Sequence, residues 1–314
     1  MKSNLKINFS LFLLLGTLLG CASTLHKTGI SLERYRSDLD TKSIVVEELI
    51  WKYIERPGNG ETLLVVHGFG GDKDHWTRFS RHLPKNIRVI APDLPGFGET
   101  SKPEGISYTQ EAQAIRLQKF TEALGLTEFH IAGNSMGGGI SGIFAAKFPK
   151  QVKSLILFDN AGIKSPVPSE MQTIELSGKE SPLLVKDKED FDRLLKFTFV
   201  KPPYLPSFLK TYFAERSVAN REWNSQILKQ IRNEGYVLES KLDQIKAPCL
   251  VIWGKDDKVI HYSVMEVLKK KVKTRLETVL LENMGHAPMI EDPKLSAKLV
   301  QDWILNGTLN KNQP

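Results

Sequence analysis

Phe129-His130-Ile131-Ala132-Gly133-Asn134-Ser135-Met136-Gly137-Gly138 runs an apolar segment into a Gly-x-Ser-x-Gly. A small-residue helical pattern follows through Gly139, Ile140, Gly142, Ile143, Ala145 and Ala146. A strand that turns sharply into a helix forces its tip residue into a strained backbone. Only near-absent side chains on both flanks avoid a clash there, which gives Gly133 and Gly137 their place. Ser135 is then held out at the carboxyl edge of a sheet, over the amino end of a helix. At ordinary Gly and Ser usage the bare pattern occurs by chance in roughly one chain of this length in ten. The weight therefore falls on its strand-like and helix-like flanks.

Working outward, strand-like and helix-like segments alternate. Ile44–Ile54 reads as an edge strand or hairpin, and Thr62–Val66 as a continuous apolar strand covered on both faces. Helical character follows over Asp72–Leu83, then a strand over Ile87–Ala91, then a helix over Thr109–Leu124 with Thr109 as its cap. Ser154–Phe158 is the strand after the serine segment. Prolines then cluster (Pro166, Pro168, Pro182, Pro202, Pro203, Pro206), and helical patterns such as Phe191–Phe199 and Glu222–Ile231 replace strands. The alternation resumes with strand Cys249–Trp253, helix His261–Lys270, strand Leu276–Leu281 and helix Pro293–Leu305. This predicts an α/β core over 43–160 and 247–309, interrupted by a helical cap over 161–246.

In a parallel sheet ligands sit beyond the carboxyl ends of strands. His67-Gly68-Phe69-Gly70-Gly71 follows the Thr62–Val66 strand and can aim backbone N–H groups at one point. Asp93-Leu94-Pro95-Gly96-Phe97-Gly98 follows the next strand as a rigid turn. Gly254-Lys255-Asp256-Asp257 and Gly285-His286 follow the last two. Ser, Asp and His thus stand at strand ends in that order. A serine hydroxyl needs a histidine to take its proton, and the histidine needs a carboxylate to fix its tautomer. The oxyanion needs preorganised N–H donors. We assign Ser135 as nucleophile, His286 as general base and Asp257 as orienter, with the backbone N–H groups of Phe69 and Met136 as oxyanion donors. Asp159, also after a strand, and Asp256 are the alternative acids. Trp76 is a candidate for the acyl-pocket lining. His67 reads as a turn organiser, and His75, His82, His130 and His261 as ordinary surface or satisfied histidines. No cluster has metal-ligand spacing, so no metal is expected.

These turns together with Trp253-Gly254-x-x-Asp257 resemble the α/β-hydrolase superfamily. More narrowly they are similar to the bacterial family V lipases and esterases of the lipase 3 type, as is Lys201-Pro202-Pro203-Tyr204-Leu205-Pro206. The resemblance implies a mostly parallel eight-stranded sheet with a helical cap, and cofactor-free hydrolysis of carboxylic esters or acylglycerols through an acyl-enzyme. It also favours Asp257 over Asp256. A C–C bond hydrolase of the meta-cleavage type shares the serine motif and is the alternative enzyme. A non-catalytic surface module is a further alternative. Dehalogenase and epoxide hydrolase chemistry would need a carboxylate where Ser135 stands.

The chain has 314 residues, is 41% hydrophobic and 25% charged, and carries a net charge of +7. Without Lys2 and Lys6 the charge is +5, dispersed apart from Lys269-Lys270-Lys271, a solvated helix end. No aromatic-interleaved basic stripe points to nucleic acid. Lys2 and Lys6 precede the apolar run Phe9–Leu19, too short to span a bilayer comfortably, which ends in Leu18-Leu19-Gly20-Cys21. This resembles a lipoprotein box. It implies a leader over 1–20, a diacylated Cys21, a polar tether over 21–42 with a short helix from Ser31 to Leu39, and anchorage in a bacterial envelope. Ala22 in place of Asp favours the outer membrane in a two-membrane cell. The alternative is ordinary secretory cleavage near Ala22. Only Cys249 remains as a second cysteine, so no disulfide is expected and a buried thiol is.

Overall fold

A computed structural model describes residues 28–309. The leader, Cys21 and the first part of the expected tether lie outside the described residues. Eight strands, β1 (Asp40–Val46), β2 (Leu49–Arg56), β3 (Thr62–Val66), β4 (Arg88–Pro92), β5 (Phe129–Asn134), β6 (Val152–Phe158), β7 (Cys249–Gly254) and β8 (Leu276–Leu281), form one sheet. Their spatial order is β1-β2-β4-β3-β5-β6-β7-β8. β2 is antiparallel to β1 and β4, and every pairing from β4 to β8 is parallel. The mostly parallel eight-stranded sheet implied by the family resemblance is the one observed.

The sheet is covered on both faces, and the period of two along β3 shows how. Leu64 and Val66 join a cluster with Trp51, Phe120, Ile140 and Leu268. Leu63 and Val65 join the opposite one, with Phe79, Phe158 and Trp303. The first cluster receives α3 (Gln110–Ala123), α4 (Met136–Lys147) and α9 (Val264–Lys271). The second receives α2 (Thr77–Arg81) and α11 (Pro293–Asn306). The region read as helical over Asp72–Leu83 is split, with a 3-10 turn over Lys73–Trp76 before α2. Thr109 caps α3 through Ala112 N–H at 3.3 Å. The Glu234 carboxylate takes the next two free donors, Gln110 N–H at 2.7 Å and Glu111 N–H at 2.9 Å.

The short helix expected from Ser31 to Leu39 is present, starting and ending about three residues earlier, and it packs against the core. Residues 28–36 form a helix, α1. Arg34 grips Asp74 through two bonds of 2.7 and 2.6 Å, and Glu33 pairs with Arg78 and Arg81. Leu39 is buried in the second core cluster. β1 opens at Asp40, before the expected core boundary at residue 43. The partners lie some forty residues downstream, so local polarity gave no sign of docking.

Between β6 and β7 lie α5 (Glu170–Leu176), α6 (Lys188–Thr198), α7 (Ser207–Ala219), α8 (Arg221–Glu234) and a 3-10 segment over Val237–Gln244. The segment has two parts. Val185, Phe191 and Ala214 form a small apolar cluster of their own between α6 and α7. Ile227, Leu238 and Leu242 instead belong to the main core. Trp223 Nε1 donates to Gly96 O at 2.8 Å and Gln230 accepts from Tyr108 N–H at 2.7 Å, so α8 is fixed to the sheet domain.

Candidate active site

Ser135 stands between β5 and α4 with φ +55° and ψ −122°, a conformation non-glycine residues rarely adopt. A Cβ on Gly133 would lie 2.2 Å from Gly137 O, and one on Gly137 would lie 2.3 Å from Val66 O. Both flanks are therefore glycine for want of space. The main chain of Ser135 is held by Ser135 N–H to Phe158 O at 2.9 Å, and its carbonyl accepts from Gly139 and Ala161.

The imidazole of His286 binds Asp257 through Nδ1 to Oδ2 at 2.8 Å, with both side chains buried. The other oxygen, Oδ1, accepts from Val259 N–H at 2.7 Å and Ile260 N–H at 3.0 Å. Three N–H donors on one carboxylate are the bonding of an anion. With Nδ1–H committed to Asp257, Nε2 keeps its lone pair and can accept a proton. Asp256, one residue earlier in the turn, is exposed. Asp159 lies close by: one oxygen or nitrogen from each of Asp159, Asp257 and His286 falls within 4.8 Å of the others.

The loop carrying His286 is tied on several sides. Asn134 Nδ2 donates to His286 O at 2.9 Å, and His286 N–H donates to Thr198 O at 2.8 Å. Glu291 bridges Gly285 N–H at 3.0 Å and Lys201 N–H at 2.7 Å. Sequence reasoning missed Asn134, Thr198 and Glu291 as supports. Asn134 stands beside Ser135, but nothing local marks the partners of the other two.

The Gly-rich turn after β3 is organised by His67. Its Nε2 accepts from Leu94 N–H at 3.0 Å, and Nδ1–H donates to Gly68 O at 2.8 Å. Complete burial pushes its pKa down to about 4, so the ring is neutral. This is the turn-organising role expected of it. Phe97 packs edge-on against both His67 and Phe69. Among the described residues, the N–H groups of Phe69 and Met136 have no hydrogen-bond acceptor. Met136 N–H opens α4, where the helix dipole favours negative charge. Asp72, next to this turn, pairs with Arg216 of α7 at 2.8 Å. Burial works against its charge, but His75, Arg216 and Lys73 hold its carboxyl below the usual range.

Trp76 is not where the pocket expectation put it. The side chain is fully buried and packs edge-on against Phe79 and Phe158 in the second core cluster. The 3-10 turn, rather than a continuous helix, carries it into the core. His130 is a buried core histidine whose Nδ1 bonds Ser154, while Nε2 lies 3.3 Å from Glu61 without a hydrogen bond. Cys249 is buried, its thiol pKa pushed up to about 12 by desolvation.

A strand-turn-helix nucleophile position, a buried Asp–His pair after the next-to-last and last strands, and unpaired N–H donors define an α/β hydrolase. The chain belongs to the α/β-hydrolase-fold family, whose model matches residues 61–293. It is 42% identical to Lipase 1 of Psychrobacter immobilis over 267 residues, covering 83% of each chain. It is 39% identical to Lipase 3 of Moraxella sp. (strain TA144), covering 85% of each, which bears out the lipase 3 resemblance. A solved structure of a membrane phospholipase A, described as a bacterial virulence factor, matches with TM-score 0.89 and 42% identity over 96% of this chain and 98% of that one. A meta-cleavage product hydrolase from Pseudomonas fluorescens IP01 matches with TM-score 0.74 at 23% identity, a likeness of fold alone.

Proposed function

We propose that the protein is a carboxylic-ester hydrolase of the lipase type, acting on acylglycerols or related lipid esters. The observation that carries this is the buried Asp257–His286 pair joined through Asn134 to the strained Ser135. Ser135 Oγ attacks the ester carbonyl as His286 Nε2 takes its proton. Asp257 holds the imidazole and offsets the charge it gains. The oxyanion of the tetrahedral intermediate is received by the N–H groups of Phe69 and Met136. His286 then protonates the leaving alcohol. Water enters, activated by the same ring, and frees the acid from Ser135. The lipases among its relatives support the ester class. The lipoprotein-like box at Cys21 supports an anchored enzyme at a bacterial envelope surface, where its substrate lipids lie.

Ser135→Ala should abolish turnover of p-nitrophenyl esters and labelling by an active-site phosphonate. Wild-type activity in that variant would sink the assignment. Anchorage is tested separately: radiolabelled fatty acid should enter the expressed protein and fail to enter Cys21→Ser.

A further inference from the structure

Among the described residues, Asp159 is the buried acid beside Asp257 and His286 that takes no part in the proposed ester hydrolysis. It follows β6 directly, with φ +45°, and is fully buried. Its N–H donates to Ile252 O at 3.1 Å, and its Oδ1 accepts from Gly254 N–H at 2.8 Å. Its Oδ2 is buried with no N–H or O–H donor reaching it, and lies near the Asp257 carboxylate. Strained backbone of this kind costs roughly 1–3 kcal/mol and persists where the surroundings enforce it.

Two carboxylates in contact inside a protein do not both ionise. The hydrogen bonds say which one carries the proton. Asp257 accepts three N–H groups, whereas Asp159 accepts one and leaves its second oxygen with none. We infer that Asp159 is a positioning residue: it stays protonated and donates an O–H···O hydrogen bond to Asp257, fixing the carboxylate that orients His286. The titratable groups facing it are Asp257 from the turn after β7, His286 from the loop after β8 and Glu291 from the short helix α10 (Pro288–Glu291). Burial first, and then the neighbouring Asp257 charge, raise its pKa well above the ordinary carboxylate value, in keeping with this state. A neutral donor steadies the anion without placing a second negative charge beside the base.

The inference rests on the triad reading and deepens it. Asp159→Asn keeps a neutral donor toward Asp257, an acceptor for Gly254 N–H and a side chain that tolerates positive φ. Asp159→Ala removes donor and acceptor together. With a short p-nitrophenyl ester, Asp159→Asn should keep kcat within about twofold and leave the acid limb of kcat/KM in place. Asp159→Ala should lose about tenfold in kcat at unchanged KM, the worth of one hydrogen bond to a charged group. The infrared difference spectrum of wild type minus Asp159→Asn at neutral pH should show a carboxylic-acid carbonyl band. Three results overturn the inference: no such band, an acid limb that moves down by about half a pH unit or more in Asp159→Asn, or equal loss in both variants. The infrared measurement needs no turnover and no Ala variant. If Ser135→Ala proved active, the triad reading would fall while the protonation of Asp159 was still read directly.

Discussion

Asn134 Nδ2 reaches the main-chain carbonyl of His286 at 2.9 Å, across 152 residues of sequence. The same amide nitrogen lies 3.2 Å from Phe158 O. The residue beside Ser135 thus carries the loop of His286, and both are referred to the end of β6. Asn134→Ala strands the buried carbonyl of His286, while Phe158 O keeps the N–H of Ser135, at a cost of about 1–3 kcal/mol. We expect a lower Tm and a loss of about tenfold in kcat/KM, with Ser135 still labelled by phosphonate. Unchanged kinetics would show that the loop holds its place without this bond.

The two adjacent aspartates after β7 should separate cleanly. Asp257→Asn removes the charge that fixes the imidazole tautomer and should lower kcat by about 10⁴. Asp256→Asn alters only an exposed side chain and should leave kcat within about twofold. Paired steady-state measurements on one ester check this.

His67 makes stability fall with acid. Its folded pKa of about 4 lies below the free value near 6.5, so the unfolded chain binds the extra proton between those pH values. The contribution is present in full above about pH 6.5 and is lost as pH falls toward 4, at most about 3 kcal/mol. Denaturant unfolding at pH 7 and pH 5 should show a shallower drop in His67→Gln than in wild type. Parallel drops would assign the acid sensitivity elsewhere.

Trp76→Ala should behave as a core deletion, destabilising by about 3–5 kcal/mol. The ranking of p-nitrophenyl esters by chain length should not change in whatever folded fraction survives. A changed ranking would return Trp76 to the acyl pocket.

The sheet was legible because buried parallel strands read as apolar runs, and because Gly133 and Gly137 are demanded by local clearance. Leu276–Leu281 was bounded correctly from its pattern alone. The choice of Asp257 over Asp256 came from family spacing, and the backbone turn explains it by leaving Asp256 exposed. What could not be read depends on pairing across long separations. α1 reads as a short helix in a polar tether, and its docking shows only once Arg34 meets Asp74; Trp76 looks like pocket lining until a 3-10 turn aims it at Phe158. Asp159 could be weighed only as a rival to Asp257, since sequence does not show two acids sharing one space.

The bond from His286 N–H to Thr198 O, with Glu291 stapling Lys201 to Gly285, has a consequence for engineering. The insert is not a detachable module. A chimera that exchanged the whole of 161–246 for another enzyme's insert would also exchange the brace of its own base. An exchange inside the insert that leaves residues 198–201 native keeps that brace in place.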